Sequence, residues 1–399
     1  MRKKFLLALV YFILIGILGA RLRLVPFFDL GHWDYRYLLH AHSHVATLGW
    51  VFNFFLLAVA QQFFNDSWLL TPVRRAAFWG MQITVVIMLI AFSLQGYALW
   101  SIAASSVHII LSYVIIWQMV KALKAQERTT EAPVLSHLIL RGALLFLAIS
   151  SIGPWALAVL MKNGYQHHPY YDSSIYWYLH FTYNGWMTLG LLALAGKAVE
   201  RMGIVFTAAK FLWVKVFILT TGLSYVWSLY GFGLHPFWVA LGAAVALLHL
   251  YSIYQILQGW KLWAKDQRGW PLYLLWWAVI ALWVKVGAQA VSVLPWFHDF
   301  AFTSRDAIIA YMHWALLGWV TAGAFTYLVL YYRLGHTWVS KAMAFFFGGL
   351  LLQELVLAGR SLGVPVPVQD QLLAIGGLGM TLGGVILFFA LFRHKKTPA

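Results

Sequence analysis

The chain has 399 residues, of which 62% are hydrophobic and only 10% are charged, and it contains no cysteine. Soluble domains carry about 25% charged residues, so this composition indicates an integral membrane protein. The lack of cysteine excludes disulfides, thiolate-bound metals, iron–sulfur clusters and covalent heme attachment through a C-x-x-C-H motif. Any heme must therefore be held non-covalently by nitrogen or oxygen ligands.

Twelve apolar runs follow one another along the chain. A hydrocarbon core about 30 Å thick needs roughly 20 apolar residues per helix. The runs are long and continuous rather than alternating, which predicts helices and not a barrel. The predicted spans, numbered 1 to 12, are 5–25, 38–63, 76–98, 101–123, 136–160, 175–197, 207–230, 236–258, 272–294, 306–332, 341–359 and 371–392.

Lysine and arginine are distributed unevenly between the two sides of these spans. With the N-terminus inside, 20 of the 28 basic residues fall on the inner side and six on the outer side. This bias predicts that both termini are cytoplasmic, in a bacterial-type inner membrane. The net charge of +16 is then explained by topology and by attraction to anionic membrane lipid, so nucleic acid is not expected as a partner.

One pattern, His-x-x-x-x-Gly-Trp, occurs three times and begins at His44, His180 and His313. The copies fall on spans 2, 6 and 10, and each is the second span in a group of four. The sequence therefore predicts an all-α integral membrane protein with twelve transmembrane helices in three pseudo-repeated four-helix arcs. These arcs form a single membrane domain over 1–399, with repeats at about 1–125, 126–260 and 261–399. The histidines are expected about five to seven residues below the outer ends of their spans, roughly 7–10 Å deep.

Histidine at this depth suggests a buried metal. A polar side chain inside a membrane helix is costly unless it faces the protein interior, and neutral imidazole is a common ligand of heme iron. The glycine of each copy leaves room for a flat macrocycle or for a neighbouring helix, and the tryptophan offers a large packing face. Two interpretations fit, a heme or metal site and a helix-packing motif with hydrogen-bonded histidines. Three copies in register favour the metal.

This layout resembles subunit I of the heme-copper oxidase and nitric oxide reductase superfamily. The resemblance implies one non-covalent low-spin heme b with His44 and His313 as its axial ligands, and His42 is the rival of His44. It also implies that Arg360, between spans 11 and 12, binds the heme propionates through charge-assisted hydrogen bonds. An ordinary interfacial arginine is the alternative for Arg360.

The sequence departs from the superfamily at its second metal site. His180 occupies the span-6 position, but span 7 contains no histidine, so a three-histidine copper centre is not expected. On span 10, Tyr311 stands where the superfamily places the ligand of a second heme. A second heme or metal held by His180 or Tyr311 fits the sequence, and so does a degenerate second site. These two residues are the candidate catalytic residues.

The resemblance implies a redox protein of a respiratory chain. Its electrons would come from a quinol or a cytochrome, and O2 or NO would be the gas bound or reduced at a second site. Two alternatives are a non-catalytic heme-bearing subunit held with other respiratory subunits, and a transporter or channel without a cofactor. Parallel repeats, and motif helices without internal proline, count against the transporter.

Other polar residues lie within the predicted spans. His108 on span 4 and His249 on span 8 are expected to form interior hydrogen bonds, with metal ligation as the alternative. Four more polar residues, Lys215, Lys285, Gln289 and Glu354, fit either a proton path toward the histidines or local pairing and snorkelling, and snorkelling fits Lys215 best.

Overall fold

A computed structural model describes residues 1–25, 27–28, 31, 33–129, 134–232, 235–258, 267–365 and 367–394. Four of the basic residues counted on the inner side, Lys261, Lys265, Lys395 and Lys396, lie outside the described residues. The predicted boundary between the second and third repeats, at 260–261, also lies outside them. The regular structure within these ranges is entirely helical.

Long helices match the predicted spans to within a few residues at most ends. They are numbered here as the spans are: α1 Arg2–Arg23, α2 Tyr35–Phe64, α3 Pro72–Gln95, α4 Leu99–Glu127, α5 Leu135–Lys162, α6 169–201, α7 Ala208–Leu223, α8 Pro236–Leu257, α9 Trp270–Val291, α10 Arg305–Tyr332, α11 His336–Ser361 and α12 Gln369–Arg393. Shorter helical pieces are Trp68–Leu70, Ser224–Phe232 and Pro295–Thr303.

Eleven helices in the described ranges are long and apolar enough to cross a membrane. The chain is therefore an all-helical, multi-pass membrane protein, as the composition predicts. The helix outside this set is α6, whose first half contains Asp172, Ser173, Ser174 and several tyrosines.

The three motif helices begin before the predicted span limits because polar side chains cap their first turns. Asp34 Oδ1 accepts the backbone N–H of Arg36 at 2.7 Å at the start of α2. His168 and Ser304 cap α6 and α10 in the same way. Such caps satisfy N–H groups that have no partner within the helix.

The motif histidines end short α-helical segments. The segments that end at His44, His180 and His313 have 10, 12 and 9 residues. At 1.5 Å per residue, the histidines lie about 12–17 Å along the helix axis from the helix starts. Their depth below the outer edge of the hydrocarbon stays a prediction.

The chain folds as two compact units. The first comprises Met1–Ile115, Arg268–Leu274 and Thr321–Ala399, and the second comprises Ile116–Gln267 and Leu275–Val320. In the first unit, aromatic rings from α1, α2, α10 and α11 form the core: the ring centroids of Phe12 and Trp50 are 5.3 Å apart, and those of Phe325 and Phe346 are 4.9 Å apart. Burial of such rings contributes strongly to core stability.

The second unit contains the end of α4, all of α5 to α8, most of α9 and the first half of α10. Here α7 and the turn after it pack on α8: the ring of Phe217 stacks on His249 at 4.5 Å, and Trp227 Nε1 donates to the Gly242 carbonyl at 3.0 Å. Polar side chains inside this unit are thus held by specific partners, and one group of them surrounds His180.

Candidate functional site

Each motif histidine is the last residue of an α-helical segment that continues as a π-helix. The π segments are Val45–Val51 after His44, Phe181–Met187 after His180 and Trp314–Thr321 after His313. π-Helices are rare and occur frequently at functional sites. The three copies therefore share an uncommon backbone geometry as well as a sequence pattern.

The change of helix type frees backbone carbonyls, and a side chain outside the helix ladder binds one in each copy. The donor–acceptor pairs are Asn53 Nδ2 with the Gly49 carbonyl at 2.7 Å, Thr188 Oγ1 with the Tyr183 carbonyl at 2.7 Å and Trp277 Nε1 with the Gly318 carbonyl at 2.8 Å. Buried carbonyls are costly without such partners, so these donors stabilise the π geometry.

Two of the motif glycines make room for a neighbouring helix. A Cβ on Gly49 would lie 3.1 Å from Cγ of Tyr11 on α1, and a Cβ on Gly185 would lie 2.7 Å from Cγ of Phe146 on α5. The nearest atoms to a Cβ on Gly318 belong instead to Trp314 of the same helix. For Gly49 and Gly185, the space left by glycine is used for helix packing.

His44, in the first unit, is held in one orientation by its ring contacts. Its Nδ1 lies 2.9 Å from the His40 carbonyl of the same helix, so Nδ1 carries the hydrogen and Nε2 presents a lone pair. The ring stacks on Phe92 at 4.1 Å, and Nε2 lies 3.3 Å from the Tyr97 hydroxyl. That contact is long for a hydroxyl hydrogen bond.

The position of Tyr97 depends on a turn at Gly96, which has φ +60°. A Cβ at Gly96 would collide with the ring of Tyr37, so the turn requires glycine.

His42 points to a different neighbour. Its ring faces α1, where a Cβ on Gly19 would lie 3.1 Å from the imidazole Cε1, and it bonds the backbone of Ile15. The buried Nδ1 of His42 has no hydrogen-bond partner in the described structure. His42 packs on α1, whereas His44 packs on Phe92 of α3, so the two imidazoles contact different helices.

His180, in the second unit, uses both ring nitrogens in hydrogen bonds. Nε2 donates to the Thr221 carbonyl on α7 at 2.8 Å, and Nδ1 accepts from Asn184 Nδ2 at 3.2 Å. Asn184 Oδ1 in turn accepts from Lys285 on α9 at 2.6 Å, and Lys285 also donates to Gln289 at 3.1 Å. Metal binding by His180 would require one of its two bonds to break.

Tyr311 and His313 also lie in the second unit, and both are partly exposed. The Tyr311 hydroxyl is buried and has no hydrogen-bond partner in the described ranges. A buried hydroxyl of this kind is a chemically competent ligand, so ligation by Tyr311 stays a prediction. Joint ligation by His44 and His313 stays a prediction as well.

Arg360 lies in the last turn of α11 rather than in the following loop. Its Nη1 is 3.1 Å from Asp370 Oδ1 on α12. Guanidinium has five N–H donors and pairs with carboxylates. Binding of heme propionates by Arg360 stays a prediction.

A second repeated feature joins the helices that follow the motif. Thr84 and Thr220 stand 40 residues after His44 and His180. Their hydroxyls lie 2.9 Å from His108 Nδ1 and 2.8 Å from His249 Nδ1. The expected interior hydrogen bonding of both histidines is confirmed.

No group of three or more histidine or acidic side chains in the described ranges is arranged to hold a metal ion. No protein-family model matches the sequence, and no curated protein matches it.

Several residues that complete these sites were not predicted from the sequence. Asn184 stands four residues after His180, one helical turn away, and that spacing is a usable signal. The 40-residue offset of Thr84 and Thr220 is a second one. Phe92 and Tyr97 carry no such signal, because only folding brings them to His44.

Proposed function

We propose that this chain is a heme-binding membrane protein that transfers electrons, with His44 and His313 as the axial ligands of a low-spin heme b. The observation that carries the proposal is the tautomer of His44. A heme-ligating imidazole usually donates its Nδ1 hydrogen to a carbonyl or carboxylate and binds iron through Nε2. His44 Nδ1 is anchored in this way to the His40 carbonyl at 2.9 Å.

The shared helix geometry supports the proposed three-arc repeat. In all three copies the histidine ends an α-helical segment and a π-helix follows. Two copies also carry the threonine–histidine pair described above. A π-helix at a single histidine has many explanations, but the same change at three equivalent positions favours common descent of three arcs.

The contacts of His180 favour electron transfer over gas reduction at a second metal. The atom that would bind a metal, Nε2, donates to the Thr221 carbonyl on α7 at 2.8 Å. This is the helix on which the superfamily supplies further histidines. A non-catalytic heme-bearing subunit that works with other respiratory subunits is therefore the second candidate function.

Several side chains would contribute to a heme site in defined ways. A bound heme supplies reversible one-electron transfer at its iron. His44 would bind the iron, Phe92 orients the imidazole by stacking on it at 4.1 Å, and Arg360 would add positive charge for the propionates. A quinol or cytochrome donor, an inner-membrane location and cytoplasmic termini belong to the same proposal.

The test is a reduced-minus-oxidised spectrum of the purified full-length protein, with heme extraction. We expect a low-spin heme b signal that disappears in His44→Ala and in His313→Ala. His180→Gln is the matched control, because it changes the same motif position in a copy whose histidine is held by protein partners. It should retain the signal.

The spectrum also separates the alternatives. Absence of heme from the wild-type protein would refute the proposal and leave the histidines as helix-packing residues. A full signal in His44→Ala that disappears in His42→Ala would move the ligand to His42. A shift on adding carbon monoxide or nitric oxide would show an open iron, with Tyr311 as the first residue to vary.

A further inference from the structure

We infer that the first unit binds one anionic phospholipid, with an acyl chain in a cavity between α1, α2 and α3 and the lipid phosphate against Arg21. This site goes beyond the proposed heme function and does not depend on it. The cavity has a volume of about 360 Å³, and its lining comes from these three helices and from Trp33, which precedes α2.

The cavity lies where one end of each of the three helices meets the others. Arg21 is in the last turn of α1, Leu38 is in the first turn of α2, and Ser93 is in the last turn of α3. Trp33 also lines the cavity and is 46% exposed. Tryptophan is enriched at the level of the lipid headgroups, so the mouth of the cavity lies at the depth of lipid phosphates.

One side of the cavity faces the membrane. Ile90 and Leu94 of the lining are 54% and 66% exposed, and they lie on α3, which is long and apolar enough to cross a membrane. Acyl chains are as apolar as such side chains. The opposite wall is formed by protein, since Leu38 and Ser93 are 6% and 8% exposed. A lipid chain can therefore enter the cavity directly from the bilayer.

The walls require an apolar occupant. Five of the eight lining residues are leucine or isoleucine, and the Ser93 hydroxyl donates its hydrogen to the Leu89 carbonyl at 2.8 Å. An empty apolar cavity loses dispersion contacts along its whole lining, and an acyl chain restores them. The volume of about 360 Å³ is near the lower end of the roughly 300–1,000 Å³ found for small-molecule sites. It suits one alkyl chain and not a whole phospholipid.

Arg21 sets the charge of the headgroup. It is the only charged residue in the described lining. A guanidinium has five N–H donors in a planar fork and binds phosphate through parallel, charge-assisted bonds. Asp34, next to Trp33 in the sequence, does not line the cavity and caps α2 by accepting the N–H groups of Arg36 and Tyr37. This charge balance favours an anionic lipid over a zwitterionic one.

A quinol matches the same cavity less well than a phospholipid does. Its head is uncharged and carries two hydroxyl groups that need acceptors. The Arg21 guanidinium and the Trp33 indole are donors only, so the Ser93 oxygen is the single side-chain acceptor of the described lining. A phosphodiester presents acceptors only, which complements the two donors at the mouth.

The test is native mass spectrometry of the full-length protein in a nonionic detergent, titrated with dioleoyl phosphatidylglycerol or with dioleoyl phosphatidylcholine. We expect the first phosphatidylglycerol to bind more tightly than further copies and more tightly than phosphatidylcholine. Arg21→Gln should weaken this first binding about tenfold, as loss of a charge-assisted hydrogen bond does. Arg36→Gln is the matched control, because Arg36 is an exposed arginine of the same edge that does not line the cavity.

Two further measurements locate the acyl chain. Ser93→Phe places a ring in the cavity and should weaken binding of phosphatidylglycerol. Its control is Ile83→Phe, on an exposed position of α3 outside the lining. Glycerophosphoglycerol, which is the headgroup without acyl chains, should not displace the lipid even in large excess. This competition needs no variant to fold.

Four outcomes would overturn the site. Equal affinity of the wild-type protein for the two lipids would remove the role of charge, and equal losses in Arg21→Gln and Arg36→Gln would reduce it to general attraction by this edge. Displacement by glycerophosphoglycerol would leave no acyl chain in the cavity. Displacement by a short-chain quinol would assign the cavity to quinol instead. Heme content measured on the same samples reports separately on the heme proposal.

Discussion

Substitution of Gly185 by alanine should destabilise the protein, because the motif glycine is where α6 approaches α5. A Cβ at this position would lie 2.7 Å from Cγ of Phe146, and Phe146 itself packs on Phe181 with ring centroids 5.4 Å apart. The phenyl ring therefore has little room to move away. Overpacking of this kind costs about 1–3 kcal/mol, against a gain of roughly 0.5–1 kcal/mol from replacing glycine within a helix.

The matched control is Gly287→Ala on α9 in the same unit, where a Cβ would meet no atom within 4 Å. That variant should gain about 0.5–1 kcal/mol from helix propensity alone. The two alanines should thus move the free energy of unfolding in opposite directions. Thermal or denaturant unfolding, followed by tryptophan fluorescence, measures both. Equal effects of the two substitutions would refute the tight packing of Gly185 on α5.

Three further substitutions test single contacts. Thr220→Val should lower the free energy of unfolding by about 1–3 kcal/mol, because it leaves His249 Nδ1 buried without its partner at 2.8 Å; Thr220→Ser should restore most of it. Trp50→Phe should cost about 1 kcal/mol in the same assay, since it removes the 2.9 Å bond from the indole N–H to Thr321. Arg360→Ala should shift the midpoint potential of the heme in a redox titration while keeping the low-spin signal, and it should cost less than about 1 kcal/mol of stability because its ion pair is partly exposed.

The helical spans could be predicted because membrane insertion depends mainly on continuous apolar length. The starts of α2 and α6 could not. Asp34 and His168 are polar residues in segments that hydropathy assigns to loops, yet as N-caps they begin these helices at Tyr35 and Pro169, before the predicted 38 and 175. The capping residue is readable in sequence only when the first helical residue is already known.

The π-helices could not be predicted from the sequence. An α-helix and a π-helix differ by one residue in a hydrogen-bonded turn, and hydropathy does not distinguish them. The donors to the π-segment carbonyls differ between copies: Asn53 and Thr188 lie on the same helix as their acceptors, whereas Trp277 lies 41 residues before Gly318 on another helix. The histidine pattern located the segments but did not predict these donors.

The hydrogen bonds of the first two motif histidines differ with the residue four positions later, one helical turn away. In the second copy this position is Asn184, whose amide bonds His180 Nδ1 at 3.2 Å and passes the interaction to Lys285. In the first copy it is Leu48, which has no such group, and His44 instead turns its Nδ1 to its own helix. A polar residue at this place binds the imidazole of the second copy, whereas in the first copy Nε2 of His44 contacts the Tyr97 hydroxyl at 3.3 Å.

The third copy has an apolar residue at the same place. Leu317 stands four residues after His313, so the third copy is similar to the first and not to the second. If the residue at this position decides between hydrogen bonding and ligation, His44 and His313 should behave alike because they share an apolar neighbour. Placing asparagine there in the first copy, as Leu48→Asn, should then weaken heme binding, while Asn184→Leu should leave it unchanged. If Leu48→Asn leaves the heme content unchanged, the residue four positions after His44 does not decide whether His44 binds heme.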